Sequence, residues 1–265
     1  MMNIIEMAKV DDRFRVDTIS KNGIKRIGIS LRDIVSPIVY LENIPHEVKT
    51  LDDLFDLLKV KSRIANMREI AITLLDWDAV KDKLFICVQK KTDDNILKMG
   101  MLDLEKYVRI FINEDYNAKV TEELAEQWGK TKQDIFKAAR ANTRKRTVIK
   151  SMVEMMLNLA GISIDEANGI DPMTVVMTDG ISYGAGAMAV KSVREAIAEK
   201  AGGNFYALPS SIHEWIIVPE NCGMDAEGLK AIVESVNATE VSPDERLSDS
   251  VYLYHADTKK LTIAA

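Results

Sequence analysis

The chain has 265 residues, enough to bury a sizeable core. Its net charge is −6, the wrong sign for a domain that lives on nucleic-acid phosphate. Its two cysteines and three histidines supply neither a disulfide framework nor zinc-ligand spacing. The N-terminal apolar run is too short for a secretory leader, and no run reaches membrane-spanning length. The expected compartment is a reducing cytoplasm.

Residues 13–32 read as a β-hairpin. Apolar and polar residues alternate on both arms, and Asn22-Gly23 supplies the positive φ angles of a tight type I′ turn. Residues 37–41 form a short extended piece. Thr50 with Asp53 then caps a helix that buries Leu51, Leu54, Phe55 and Leu58. Residues 62–83 lean helical, and Leu84 to Val88 is a buried strand around Cys87. Met101 to Ile112 is strand-like without a clean period.

Thr121 to Trp128 is a short helix stopped at Gly129. Thr131 with Asp134 caps the next helix, which carries Ile135, Phe136 and Ala139 inward. A further helix is expected from the stripe Val148, Met152, Met155, Met156 and Leu159, read as core packing. Residues 161–172, with Gly161, Asn168-Gly169 and Asp171-Pro172, are the best linker.

The remainder has a β-α-β-β pattern. A strand over 174–178 precedes a helix closed by Gly202-Gly203, and two strands follow at 204–219. Asp225 caps a helix with Leu229, Ile232, Val233 and Val236 inward, and two short strands end the chain. The expected class is α+β, with antiparallel or mixed sheet elements and packed helices. The expected organisation is one compact unit over 1–265, with room for two lobes at 1–150 and 170–265.

Three stretches could carry chemistry. Tyr183-Gly184-Ala185-Gly186-Ala187-Met188-Ala189 contains G-x-G-x-x-A. It is not in the first turn after a strand, and no acid ends the following strand, so close packing is the favoured role and no cofactor is expected. Lys137, Arg140 and Arg144 share a helix face beside Lys145, Arg146 and Lys150. No aromatics interleave with them locally, so a solvated face is favoured over nucleic-acid contact.

The third stretch is Ser210, Ser211, Ile212, His213 and Glu214, a polar insert between two apolar runs. Read as an extended strand, it puts Ser211 and His213 on one face. No nucleophile elbow surrounds either serine, and no second histidine stands at metal-binding spacing. Ser210, Ser211, His213 and Glu214 are therefore candidates for a pocket, set against a plain structural turn held by local hydrogen bonds.

Several of these pieces together resemble an uncharacterised bacterial family, domain of unknown function 5688. They are Lys21-Asn22-Gly23, Pro37 with Tyr40-Leu41, Trp128-Gly129, Ala139 with Asn142-Thr143, and Gly184-Ala185. Leu208-Pro-Ser-Ser-Ile-His-Glu214 is the most specific, followed by Leu247-Ser248-Asp249 and Val251-Tyr252. Gly186 is not among the matching positions, and the helical segment before the first hairpin is shorter than the family's. The resemblance implies one unit over most of the chain and brings no activity, although members resemble accessory cargo of mobile elements.

The leading expectation is a cytoplasmic, non-enzymatic binding or accessory protein, with another protein as partner and without membrane or metal. The alternatives are a small hydrolase or nucleotide-handling enzyme using the Ser210–Glu214 insert, and an acidic inhibitor of a nucleic-acid enzyme.

Overall fold

The computed structural model describes residues 2–33, 36–64, 67–112, 116–153 and 173–265. The chain divides into two units, Met1–Val80 and Lys81–Ala265.

The first unit starts with α1 (Met2–Val10) and the expected hairpin, β1 (Phe14–Lys21) with β2 (Ile24–Leu31). Asn22 and Gly23 take φ of 49° and 81°, the left-handed geometry that a two-residue turn demands. β3 (Val39–Tyr40) adds to β2, giving a three-stranded sheet. α2 (Leu51–Ile64) is capped as the sequence predicts. The Thr50 hydroxyl accepts from the Asp53 amide at 3.1 Å, while the Asp53 carboxylate accepts from the Thr50 amide at 2.9 Å. Leu54 and Leu58 on α2 pack with Phe14, Ile29 and Leu31 in one core. α3 (Met67–Leu75) and α4 (Trp77–Val80) complete this unit, so the ambiguous stretch after residue 62 is helical in separate pieces.

The second unit holds two sheets, and every strand pair among the described residues is antiparallel. The first contains β4 (Leu84–Lys90), β5 (Lys98–Met101), β6 (Leu104–Phe111) and β7 (Asn117–Lys119). β4 pairs with one edge of β6, and β5 and β7 share the other. The stretch from Met101 to Ile112 fits no single period because it contains a turn. Leu102 takes φ 57° between β5 and β6.

α5 (Glu122–Gln127) and α6 (Lys132–Arg146) follow; α6 has its expected cap at Thr131, and Thr121, expected inside α5, is instead its cap. α6 buries Ile135, Phe136, Ala139 and Thr143. Thr143 welds the helix to the sheet. Its hydroxyl accepts the Ile86 amide at 2.9 Å and donates to the Ala139 carbonyl at 2.7 Å.

The second sheet has six strands in the order β13, β12, β10, β11, β9, β8. Its first member, β8 (Thr147–Ser151), corrects the expectation of a helix on the Val148 stripe. Val148 pairs with Met177 of β9 (Thr174–Thr178), because a sheet edge overrides the local helical spacing. Met155, Met156, Leu159 and the linker at 161–172 lie outside the described residues. The β-α-β-β pattern stands. α7 (Lys191–Ala201) follows β9 and ends at Gly202 with φ 75°, ahead of β10 (Phe205–Pro209) and β11 (Trp215–Pro219).

α8 (Ala226–Thr239) turns Leu229, Val233 and Asn237 inward. Ile232 and Val236, expected inside, are 47% and 42% exposed. Asn237 takes the inner position because its amide donates to Asp249 at 2.7 Å. β12 (Tyr252–His255) and β13 (Lys260–Ile263) end the chain.

The fold is α+β. Replacing Thr143 with isosteric valine would leave the buried Ile86 amide without an acceptor. Thr143→Val is expected to cost about 1–3 kcal/mol in denaturant unfolding, with the m-value unchanged.

Candidate functional site

Pro209 of β10 pairs with Trp215 of β11, so residues 210–214 form the loop of a hairpin rather than an extended strand. The same-face argument for Ser211 and His213 therefore does not apply. The Ser211 hydroxyl accepts from the backbone amide of His213 at 3.0 Å, not from its ring. The Ser211 amide donates to the Glu214 carbonyl at 3.3 Å, closing the turn. Ile212 is buried at 1% exposure. Its amide donates to the Glu245 carbonyl at 2.9 Å, and its carbonyl accepts from the Ala185 amide at 3.2 Å.

His213 is clasped from two sides. Nδ1 accepts from the Tyr183 amide at 3.3 Å, and Nε2 lies 3.4 Å from the Glu245 carboxylate. The first contact requires an unprotonated Nδ1, so the proton sits on Nε2, facing Glu245. Both nitrogens are occupied, and neither faces a serine hydroxyl. Glu214 enters through its backbone, and Ser210 is a half-buried loop residue. Glu245, which the sequence reading did not single out, is the carboxylate beside the imidazole.

The glycine run lies directly beneath this loop, as a short 3-10 helix over Gly184–Ala189. Gly184 through Met188 are all buried. A Cβ on Gly186 would stand 1.7 Å from the Ile86 carbonyl oxygen of β4, and one on Gly184 would stand 2.5 Å from that of His213. Backbone carbonyls fill the space that a dinucleotide pyrophosphate would need, and their partial negative charge would repel it. The glycines serve close packing. Trp215, fully buried, donates from its indole to the Ala185 carbonyl at 2.9 Å and completes the arrangement.

Tyr183, just before these glycines, takes φ 74° and ψ 33°, a left-handed conformation uncommon for an aromatic residue. Its ring is held from three directions. Arg109 lies 4.4 Å from its centroid, Phe111 6.5 Å and His213 6.2 Å. Phe111 in turn meets Phe85 edge-to-face at 5.7 Å. Behind this row lie Cys87 and Tyr107, both fully buried. Burial pushes the Cys87 thiol up to about 12, so it stays protonated and is no nucleophile. Burial likewise raises Tyr107 and keeps it neutral.

In front of the row an open cavity of about 560 Å³ lies at the C-terminal end of α6. Phe85, Phe111 and Ile181 give it an apolar floor. Lys83, Lys145 and Arg146 bring positive charge, and Asp82 and Asn142 add polar groups. The Arg146 guanidinium lies 5.7 Å from the Phe85 centroid. Asn142 is fixed in place, its amide donating to the carbonyls of Lys81 at 2.8 Å and Leu84 at 2.9 Å. Gly180, at φ 68°, turns the chain tightly where Arg146 approaches; its Cβ would sit 1.9 Å from the guanidinium.

The basic stretch found in the sequence is thus divided. Lys145 and Arg146 line the cavity, whereas Lys137, Arg140 and Arg144 are exposed along α6. Aromatic residues do stand beside the cations, but they come from β4 and β6, so no local pattern could show it.

A separate buckle joins the two sheets of this unit. Asp103, in the turn between β5 and β6, accepts from the hydroxyls of Ser248 at 2.7 Å, Ser250 at 3.3 Å and Tyr252 at 2.6 Å. Burial first, and then the bond to Asp103, raises the Tyr252 phenol and keeps it protonated as a donor. The remaining histidines do not join the site. His255 pairs with Thr262 at 3.1 Å, and no cluster of three metal-ligating side chains occurs among the described residues.

Gly186→Ala is expected to cost at least about 1–3 kcal/mol, because the backbone carbonyl it meets cannot rotate away. Gly100→Ala, with nothing within 4 Å of the added carbon, is expected to stay within about 0.5 kcal/mol of wild type in the same unfolding measurement.

No helix among the described residues is long and apolar enough to cross a membrane. No curated protein and no solved structure matches the chain. A family of unknown function (DUF5688) matches residues 2–256, which takes in the hairpin turn, the Asn142-Thr143 weld, the glycine run and the histidine loop alike; the chain belongs to that family.

Proposed function

We propose that the chain is a non-enzymatic binding protein whose site is the cavity at the end of α6. Its ligand is a small molecule with a flat apolar body and an anionic group. The carrying observation is the pairing of the Phe85 and Phe111 rings with Lys83, Lys145 and Arg146 around a space of about 560 Å³. A volume of this size suits a small organic ligand, since such sites usually enclose roughly 300–1,000 Å³. The rings offer apolar surface for a planar group, and a cation beside a ring attracts both the ring's face and an anion. Arg146, tied through its backbone carbonyl to the Asp179 amide at 2.8 Å, offers a guanidinium fork to a carboxylate or phosphate.

A binding role also fits the chemistry of the neighbouring groups. Cys87 is protonated and buried, and both His213 nitrogens are engaged. A hydrolase would need a hydroxyl directed at the imidazole, and Ser211 directs its hydroxyl to the backbone. An accessory role in a reducing cytoplasm is consistent with two unpaired cysteines.

The test is a thermal-shift screen with aryl carboxylates and mononucleotides, followed by titration of any hit. A ligand at 100 times its Kd should raise stability by about 2.7 kcal/mol. Arg146→Ala should weaken binding about tenfold or more, the scale of one charge-assisted contact. If no compound of either class gives a saturable shift, or if Arg146→Ala and Lys145→Ala bind as wild type does, the proposal fails.

A further inference from the structure

Asn142 says more about the ligand of the α6-end cavity than the cations there do. Its side-chain nitrogen donates both hydrogens, to the Lys81 carbonyl at 2.8 Å and to the Leu84 carbonyl at 2.9 Å. Only the nitrogen can face two carbonyl oxygens, because an amide oxygen in its place would set lone pairs against lone pairs. The orientation of the carboxamide is therefore fixed, and Oδ1 is the polar atom left over. Asn142 lines the cavity, and its Oδ1 has no partner among the described residues. Nor is Oδ1 sealed off: among the described residues, the buried side-chain polar atoms without a partner belong to Gln89, Arg194 and Tyr254. A ligand that displaces water from this oxygen must bring a donor or leave it unsatisfied.

The helix sets this acceptor in line with the charge. Asn142, Lys145 and Arg146 stand at i, i+3 and i+4 of α6, so they share one face about one turn, or 5.4 Å, apart along the axis. Asn142 is half-buried while Lys145 and Arg146 are exposed, so the acceptor lies inside and these cations lie at the mouth. Lys83 adds a third cation to the cavity, and its neighbour Asp82 offsets one of the three, which leaves a surplus of two positive charges. A carboxylate would match half of that surplus. A phosphomonoester, with a charge of about −1.5 to −2 and several acceptor oxygens, matches nearly all of it.

We infer that the cavity takes a nucleoside monophosphate with an amino base, adenine or cytosine, whose amino N–H donates to Asn142 Oδ1 while the phosphate meets Lys145 and Arg146. The assignment rests on the proposal that this cavity binds a flat anion, and it narrows that ligand to one class. An aryl carboxylate has the ring and the charge but no donor for Oδ1. In adenine and cytosine the amino group stands at the end of the base away from the sugar, which suits an acceptor inside and cations at the mouth. The base itself is a flat surface for the Phe85 and Phe111 rings.

The experiment titrates the whole protein with adenosine monophosphate and cytidine monophosphate, following binding heat and Tm. Each is set against two relatives, the analogue with hydrogen in place of the amino group and the nucleoside without its phosphate. Changing the ligand leaves Asn142 intact, since its nitrogen also holds the chain at Lys81 and Leu84. At least one monophosphate should bind saturably. Its analogue without the amino group should bind about threefold to tenfold more weakly, the scale of one neutral hydrogen bond. The nucleoside should lose about tenfold or more, and Arg146→Ala should shrink that phosphate advantage. The inference is overturned if neither monophosphate binds, if loss of the amino group costs the tighter one less than about threefold, or if Arg146→Ala leaves the phosphate advantage whole. An aryl carboxylate that binds through Arg146 while both monophosphates fail would remove this inference and leave the cavity as a binding site; failure of both classes removes both.

Discussion

The backbone approach of Gly186 to Ile86 is the constraint on which the second unit depends. At this point a 3-10 turn lies against the outer edge of β4 so closely that even a methyl group cannot fit. An exposed strand edge must be satisfied or covered. Here the cover comes from two elements at once. Thr143 of α6 takes the Ile86 amide, and the glycine turn lies against the Ile86 carbonyl. The same turn carries Ala185, whose amide and carbonyl bond Ile212 and Trp215 of the β10–β11 hairpin. Together with the Asp103 buckle, this close approach holds the four-stranded sheet to the six-stranded one.

That arrangement gives the most recognisable part of the sequence a structural task. The Ser210–Glu214 loop has to present Ile212 inward and His213 toward Tyr183 for the glycine turn to be enclosed. The Ser211 hydroxyl and the His213 ring are consumed in doing so. The strain at Tyr183 belongs to the same economy. A left-handed tyrosine costs on the order of 1–3 kcal/mol and persists where surroundings determine it from several sides. Arg109, Phe111 and His213 do so here, and they aim the ring at the wall behind the cavity.

What could be read from the sequence was whatever depends on near neighbours. The Asn22-Gly23 turn, the caps at Thr50 and Thr131 and the helix stop at Gly202 follow from residues a few positions apart. The failures are tertiary. Val148 is a strand residue because β9 offers it an edge, and Asn237 displaces Val236 from the interior because Asp249 offers it a carboxylate. The cavity joins Phe85, Phe111, Arg146 and Ile181 from β4, β6, α6 and the loop after β9. No spacing rule connects them. Glu245 and Asp103 were equally hidden, each being an ordinary acid in a loop until a distant hairpin or turn reaches it.

The overall charge of −6 says little about what the molecule holds, because the cations around the cavity have a local cause. Lys145 and Arg146 sit in the last turn of the helix, where the aligned peptide dipoles present partial negative charge. A cation there gains about 0.3–1 kcal/mol, so these two are stable without a carboxylate and without a ligand. Fold stability alone accounts for charge at the end of α6, so it is the Phe85 and Phe111 rings beside these cations, not the charge itself, that single out the cavity.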